Sequence, residues 1–121
     1  MVDDHHQTPN DVDKELFEKI HQLIVDRKLF LDPTFSREQY IRLGFINKNK
    51  VARMLKENAG MNLTKYINDL RLEYALGLMK TAPDEPLKAI AVDSGFASIR
   101  TFYRLFLRKF GVTPTTYRKN L

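Results

Sequence analysis

Apolar residues recur along this chain at the helical period, in blocks separated by Gly, Pro, Asn and Ser. Leu16, Phe17, Ile20, Leu23 and Ile24 form one stripe, which predicts a first helix capped by Asn10 or Asp11 and running to about Lys28. The acidic Asp11, Asp13, Glu15 and Glu18 fall in its first turns, where they suit the helix dipole. Asp32-Pro33 breaks the chain, and Ser36 is placed to cap a short helix through about Leu43. After a turn at Gly44-Phe45-Ile46, Asn47 caps a helix over Lys48–Ala59 with Val51, Met54 and Leu55 facing inward. Gly60 stands where a left-handed C-cap belongs.

Asn62 then opens a longer helix, about Leu63–Lys80, with Tyr66, Ile67, Leu70, Ala75 and Leu78 available for packing. At 1.5 Å per residue it would be roughly 27 Å long, enough to hold two units at a fixed distance. Thr81–Pro86 is a turn ending in a proline that suits the start of the next helix, about Leu87–Ser94. A tight turn at Ser94-Gly95-Phe96 leads into a strongly basic helix that stops at Gly111, and Thr113-Pro114 starts a last short helix. In the basic helix Phe102, Leu105 and Phe106 form one face, while Arg100, Arg104 and Arg108 line another. Taken alone, that pattern fits a helix-turn-helix and a solvated surface helix equally well.

A repeat separates the two. Shifting the chain by 51 residues brings Arg53 onto Arg104, Gly60 onto Gly111, Thr64 onto Thr115 and Tyr66 onto Tyr117. Val51, Met54 and Leu55 fall on Phe102, Leu105 and Phe106, and upstream of the turn the offset drops to 50, which pairs Ile46 with Phe96. The same cap, core and arginine occurring twice predicts two helix-turn-helix units joined by a long helix, an all-α fold of about seven helices.

Charge narrows the partner. The chain carries a net charge of +5. Residues 1–35 hold 4 Lys/Arg against 8 Asp/Glu, and residues 36–121 hold 16 against 7, so the region containing both units is strongly basic and suits a polyanion. No cysteine is present, which excludes disulfides, thiolate metal sites and a cysteine nucleophile. No apolar run approaches the ~18 residues that span a bilayer, and a signal-peptide pattern is missing from the start, so a cytoplasmic protein without membrane contact is expected. His5-His6 lacks a spaced partner for a metal, and Asp11-x-Asp13-x-Glu15 lacks the glycine and distal glutamate of a calcium loop. His21 falls among surface positions, and Asp84-Glu85 suits a helix start. With no glycine-rich phosphate loop and no Ser/His/Asp arrangement, neither catalysis nor a cofactor is expected.

The runs Arg71-Leu-Glu-Tyr-Ala75, Ile90-Ala91, Ser94-Gly95-Phe96, Phe102-x-x-x-Phe106 and Phe110-Gly111-Val-Thr-Pro114-x-x-Tyr117-Arg118 resemble the DNA-binding domain of the AraC/XylS family of bacterial transcription regulators. The resemblance covers about Asp32–Arg118. The family usually shows a small residue where Ile41 stands, glycine at Phe45, an aromatic or hydrophobic residue at Lys50, an aromatic at Leu55 and a lysine at Leu107. The polar, aperiodic start predicts a flexible tail or linker of 1–10 before a domain over 11–121, with helix-turn-helix units at about 36–60 and 86–111 and a linker helix at about 63–80. The resemblance implies double-stranded DNA as partner, with the two recognition helices in successive major grooves. RNA polymerase is a further candidate partner, and a sensory or dimerisation domain is expected elsewhere in a longer regulator.

The same resemblance points to Ser98, Ile99, Arg100, Tyr103 and Arg104 in the second unit, and to Lys48, Asn49, Ala52 and Arg53 in the first. Within that set Arg53, Arg100 and Arg104 can each fork onto guanine, Asn49 onto adenine, and Ile99 and Ala52 can pack on a thymine methyl. Lys48, Lys56, Arg108 and the backbone N–H groups at the helix starts are expected at phosphates. Two alternatives stay open: Arg53 or Arg104 tied to a carboxylate of the domain itself, and a basic module that binds an acidic protein or an anionic surface. Arg71 is expected to pair internally, with an acid such as Asp93.

Overall fold

The computed structural model describes the backbone of Pro9–Leu121 and the side chains from Asp11 onward; His5-His6 and the rest of the expected tail lie outside the described residues. The described residues form seven α-helices and no strand: α1 (Pro9–Asp26), α2 (Arg37–Gly44), α3 (Lys48–Ala59), α4 (Leu63–Thr81), α5 (Leu87–Asp93), α6 (Ile99–Phe110) and α7 (Pro114–Lys119), with a short 3-10 turn at Leu29–Leu31. They divide into a first unit, up to residue 29 and over 36–63, and a second, residues 30–35 and 64–121. α1 starts at Pro9, so Asn10 and Asp11 lie inside its first turn rather than at its cap. It ends at Asp26, before the expected Lys28, which takes a left-handed φ of 52°.

In the first unit the buried side chains come from all three of its helices: Ile20 and Ile24 of α1, Tyr40 of α2, and Val51, Met54 and Leu55 of α3. The entry to α2 is a capping box in which the Gln39 side chain accepts from the backbone N–H of Ser36. Asn47 caps α3, accepting from the Lys50 N–H at 2.9 Å, and Gly60 closes it at φ 69° with its N–H on the Lys56 carbonyl. Between α2 and α3 the turn residue is Phe45, left-handed at φ 51° and 96% exposed. A non-glycine residue in this region costs about 1–2 kcal/mol, and the ring recovers none of it by packing. Phe45→Gly is therefore expected to raise stability by up to about 1 kcal/mol once the extra freedom of an unfolded glycine is subtracted. Thermal unfolding followed by circular dichroism checks this, and a lower midpoint would mean that the ring has a partner.

In the second unit α4 is more than a spacer. Leu72, Ala75 and Met79 join Ile90, Ala91, Phe96, Phe102 and Phe106 in one apolar core, so the expected linker helix is also a wall of this unit. The expected packing residues Leu70 and Leu78 are only half-buried, while Leu72, Met79 and Arg71 are buried. The aromatic face of α6 packs edge-on: Phe102 lies 5.3 Å from Phe96 and 5.6 Å from Phe106, which in turn lies 5.7 Å from Tyr117 (ring centroids). Burying each of Phe102 and Phe106 contributes about 1.5–3 kcal/mol. Ser98 caps α6 by accepting from the Thr101 N–H, Gly111 closes it at φ 76°, and Thr113 caps α7.

The repeat recurs in the backbone of the two basic helices. α3 and α6 are both 12 residues long, start 51 positions apart, and carry matching caps at Asn47 and Ser98 and at Gly60 and Gly111. In the turns before them the N–H of Ile46 reaches the Ile41 carbonyl and that of Phe96 reaches the Ala91 carbonyl, an offset of 50. The second turn holds one more residue before its cap.

Candidate nucleic-acid interface

Each unit exposes one basic helix. On α3 the inward row of Val51, Met54 and Leu55 leaves Lys48, Asn49, Ala52, Arg53 and Lys56 exposed, and Asn49, Ala52, Arg53 and Lys56 share one face through their 3- and 4-residue spacing. On α6 the burial of Phe102 and Phe106 leaves Arg100, Arg104 and Arg108 exposed, with Ile99 38% and Leu107 47% exposed beside them. Arg100, Arg104 and Arg108 form no ion pair among the described residues, so their guanidinium donors face solvent. Lys109, one position further round, is instead turned to α4, 3.6 Å from Asp69 and 3.9 Å from Glu73. The cations of α6 are thus divided between an inner pair with α4 and an outer arginine ladder.

Three residues expected at this surface have structural partners as well. Ser98 spends an oxygen lone pair on the α6 cap. Tyr103 is half-buried, its ring 6.0 Å from Phe102 and its hydroxyl 3.1 Å from Thr115 Oγ1 on α7. The Arg53 side chain is 61% exposed, yet its Nη2 lies 3.5 Å from Asp13 Oδ2. The alternative of an internal carboxylate is therefore realised at Arg53 and not at Arg104. Asp13 does more than suit the dipole of its own helix: it is buried, and its other oxygen lies 2.9 Å from Lys50 Nζ. The signal was present in the phase of α1, where Asp13, Phe17, Ile20 and Ile24 follow one helical row, and in a lysine at a position of α3 next to its inward row.

Arg71 is internal, as expected, but Asp93 is not its partner. Its Nε donates to the Phe30 carbonyl at 2.7 Å, Nη2 to the Asp32 carbonyl at 2.8 Å and Nη1 to Asn68 Oδ1 at 2.9 Å. Burial lowers its pKa from the usual arginine value, opposed by the Asp32 carboxylate. That carboxylate lies below its ordinary range because the Thr34 hydroxyl and N–H donate to it, with a further contribution from Arg71. Asp93 instead hydrogen-bonds Glu85, which pushes the Glu85 carboxyl above its ordinary value, and the charge of Arg118 opposes the rise. The described residues hold no cluster of three metal-ligating side chains, and no helix among them is long and apolar enough to cross a membrane.

Two capped helix-turn-helix units, each presenting a basic helix, define a helix-turn-helix protein. The model of a family described as a helix-turn-helix domain matches residues 43–120. The chain belongs to the AraC/XylS-type helix-turn-helix family, a family of DNA-binding domains of transcription regulators. It is 32% identical over 97 residues to the regulatory protein SoxS of Salmonella typhimurium, covering 80% of this chain and 84% of SoxS. To the uncharacterized transcriptional regulatory protein YesN of Bacillus subtilis it is 29% identical over 76 residues, 62% of this chain but 21% of YesN, so it spans about a fifth of that relative. The fold matches the C-terminal domain of the two-component response regulator yesN from Fusobacterium nucleatum at a TM-score of 0.75 and 24% identity, covering 86% of this chain and 98% of that one. These relationships support DNA binding in transcription regulation, and none supports the acidic-protein or anionic-surface alternative.

Proposed function

We propose that this chain binds double-stranded DNA sequence-specifically as the output domain of a longer transcription regulator, with α3 and α6 each entering a major groove. The observation that carries the reading is the duplicated basic helix: two 12-residue helices in the same register, capped alike, each with arginine on its exposed face. Grooves on one face of a duplex recur about every 34 Å, so two readers in one chain suit two successive grooves without a symmetric dimer. Arg100 and Arg104, unpaired among the described residues, read base edges as forks on guanine O6 and N7, and Asn49 and Arg53 act likewise from α3. Ile99 and Ala52 pack against thymine methyls. Ser98 and Tyr103 act at the edge of the second site, and Lys48, Lys56 and Arg108 meet phosphates and set register. The activity is binding rather than catalysis. RNA polymerase and a sensory or dimerisation domain are the further partners this role calls for, in the cytoplasm where bacterial DNA lies.

Selection against random duplex DNA at near-physiological salt tests the reading. Two enriched blocks about one helical turn apart are expected. Arg100→Ala and Arg104→Ala should each cost about 1–3 kcal/mol on the selected site and relax one base position. Uniform weakening on every sequence would make these arginines phosphate contacts, and a single enriched block would remove base reading from one unit.

A further inference from the structure

The ion pair between α1 and α3 links a buried acid to an exposed base-reading candidate. Asp13 is 5% exposed, and its two oxygens are divided between two cations of α3. Oδ1 meets Lys50 at 2.9 Å, and Oδ2 meets Arg53 at 3.5 Å. The two cations differ in setting. The Lys50 side chain is 31% exposed, whereas that of Arg53 is 61% exposed and stands in the row of Asn49, Ala52 and Lys56. Lys50 therefore anchors the carboxylate, and the carboxylate reaches outward to Arg53.

We propose that Asp13 is a positioning residue for base selection, holding Arg53 in the orientation from which it reads DNA. The proposal rests on the reading of Arg53 as a base contact. An exposed arginine explores many rotamers, and fixing it on a base edge costs that freedom. A carboxylate already held at one guanidinium nitrogen removes part of the cost, because the planar fork turns as one body. Nη2 carries two hydrogens, so one contact to Asp13 leaves a hydrogen on Nη2 and two on Nη1 for a second partner. The buried negative charge also acts against misplacement. It opposes a phosphate drawn toward the same guanidinium, so Arg53 gains less from non-specific backbone contact than an unpaired arginine would. A role confined to fastening α1 onto α3 makes a different prediction, since loosening the helix would weaken all DNA binding together.

Asp13→Asn in the full chain separates the two, because it keeps the side chain's shape and removes its charge. The expected result is a relaxed preference at one position of the α3 block and a fall of about tenfold in the ratio of selected-site to scrambled-duplex affinity. Affinity for the scrambled duplex should hold or rise. Equal losses on both duplexes, with base preference intact, would overturn the proposal. Lys50→Met removes the anchoring cation and leaves Asp13 to Arg53 alone, so the same base position should relax by less than in Asp13→Asn; an equal loss on both duplexes, with base preference intact, would reduce the carboxylate to a helix fastener. Should Asp13→Asn fail to fold, Asp13→Asn/Lys50→Met removes the lysine left without its partner, and the same ratio is read from it. Arg53→Ala isolates the underlying reading. If that variant leaves base preference unchanged, Arg53 is not a reader and the proposal falls with it; if it relaxes the position while Asp13→Asn does not, only the positioning role falls.

Discussion

Replacing Gly95 by alanine is expected to destabilise the second unit by about 2.5–5 kcal/mol. Two costs add. Gly95 has φ 95°, a conformation that disfavours any L side chain by about 1–2 kcal/mol. A Cβ there would also stand 2.6 Å from the Phe30 carbonyl oxygen, 3.0 Å from Arg71 Nε and 3.0 Å from Leu31 Cα. Two of those three atoms are backbone, so relief requires moving the Phe30–Leu31 segment away. That movement breaks the bond from Arg71 to the Phe30 carbonyl, a charge-assisted bond worth about 1.5–3 kcal/mol. Urea unfolding followed by circular dichroism and tyrosine fluorescence measures the loss. A cost below about 1 kcal/mol would mean that the segment yields freely.

Arg71→Ala should cost a similar amount, about 3–5 kcal/mol, through the other side of the same contact. Its three hydrogen bonds gather the Phe30 and Asp32 carbonyls and the Asn68 side chain onto one guanidinium, and deletion leaves two backbone acceptors without their donor. Arg71→Lys should recover only part of the loss, because an ammonium is a point charge and cannot copy the spread of the fork. Both variants act on one small region, so Gly95→Ala with Arg71→Ala should cost less than the two single losses together. Strict additivity in that double-mutant cycle would show that the steric and the hydrogen-bonding effects are separate.

The helices were legible because their signals are local. Apolar spacing, the Asn47 cap and the Gly60 stop fixed α3 to the residue, and Gly111 fixed the end of α6, while the Ser98 cap at its start shows only in the structure. The exposed arginines of α6 followed from the burial of Phe102 and Phe106 between them. What escaped depended on chain brought in from a distance. Two of the three partners of Arg71 lie 39 and 41 residues away and are backbone carbonyls, which carry no sequence signature. Asp13 had a local explanation in the helix dipole, which masked the distant one. The one signal for the exposure of Phe45 was its place in the Gly44-Phe45-Ile46 turn, where its left-handed backbone gives the ring no core to enter. The Leu107 side chain, exposed beside the arginines, has no explanation in the structure.

The Phe30–Phe35 segment belongs to the second unit, although it lies between α1 and α2 of the first. The sequence repeat does not include it. Repeat and packing therefore divide this chain at different places: what recurs is the capped helix pair, but what stands as the second unit is a pair plus a strap that lies between α1 and α2. The second unit is therefore not continuous in the chain. A recombinant that took the second motif from another regulator at a junction in α4 would inherit a foreign Gly95 turn and the native strap. It would keep its grip only where the incoming α4 brought an arginine to meet those two carbonyls.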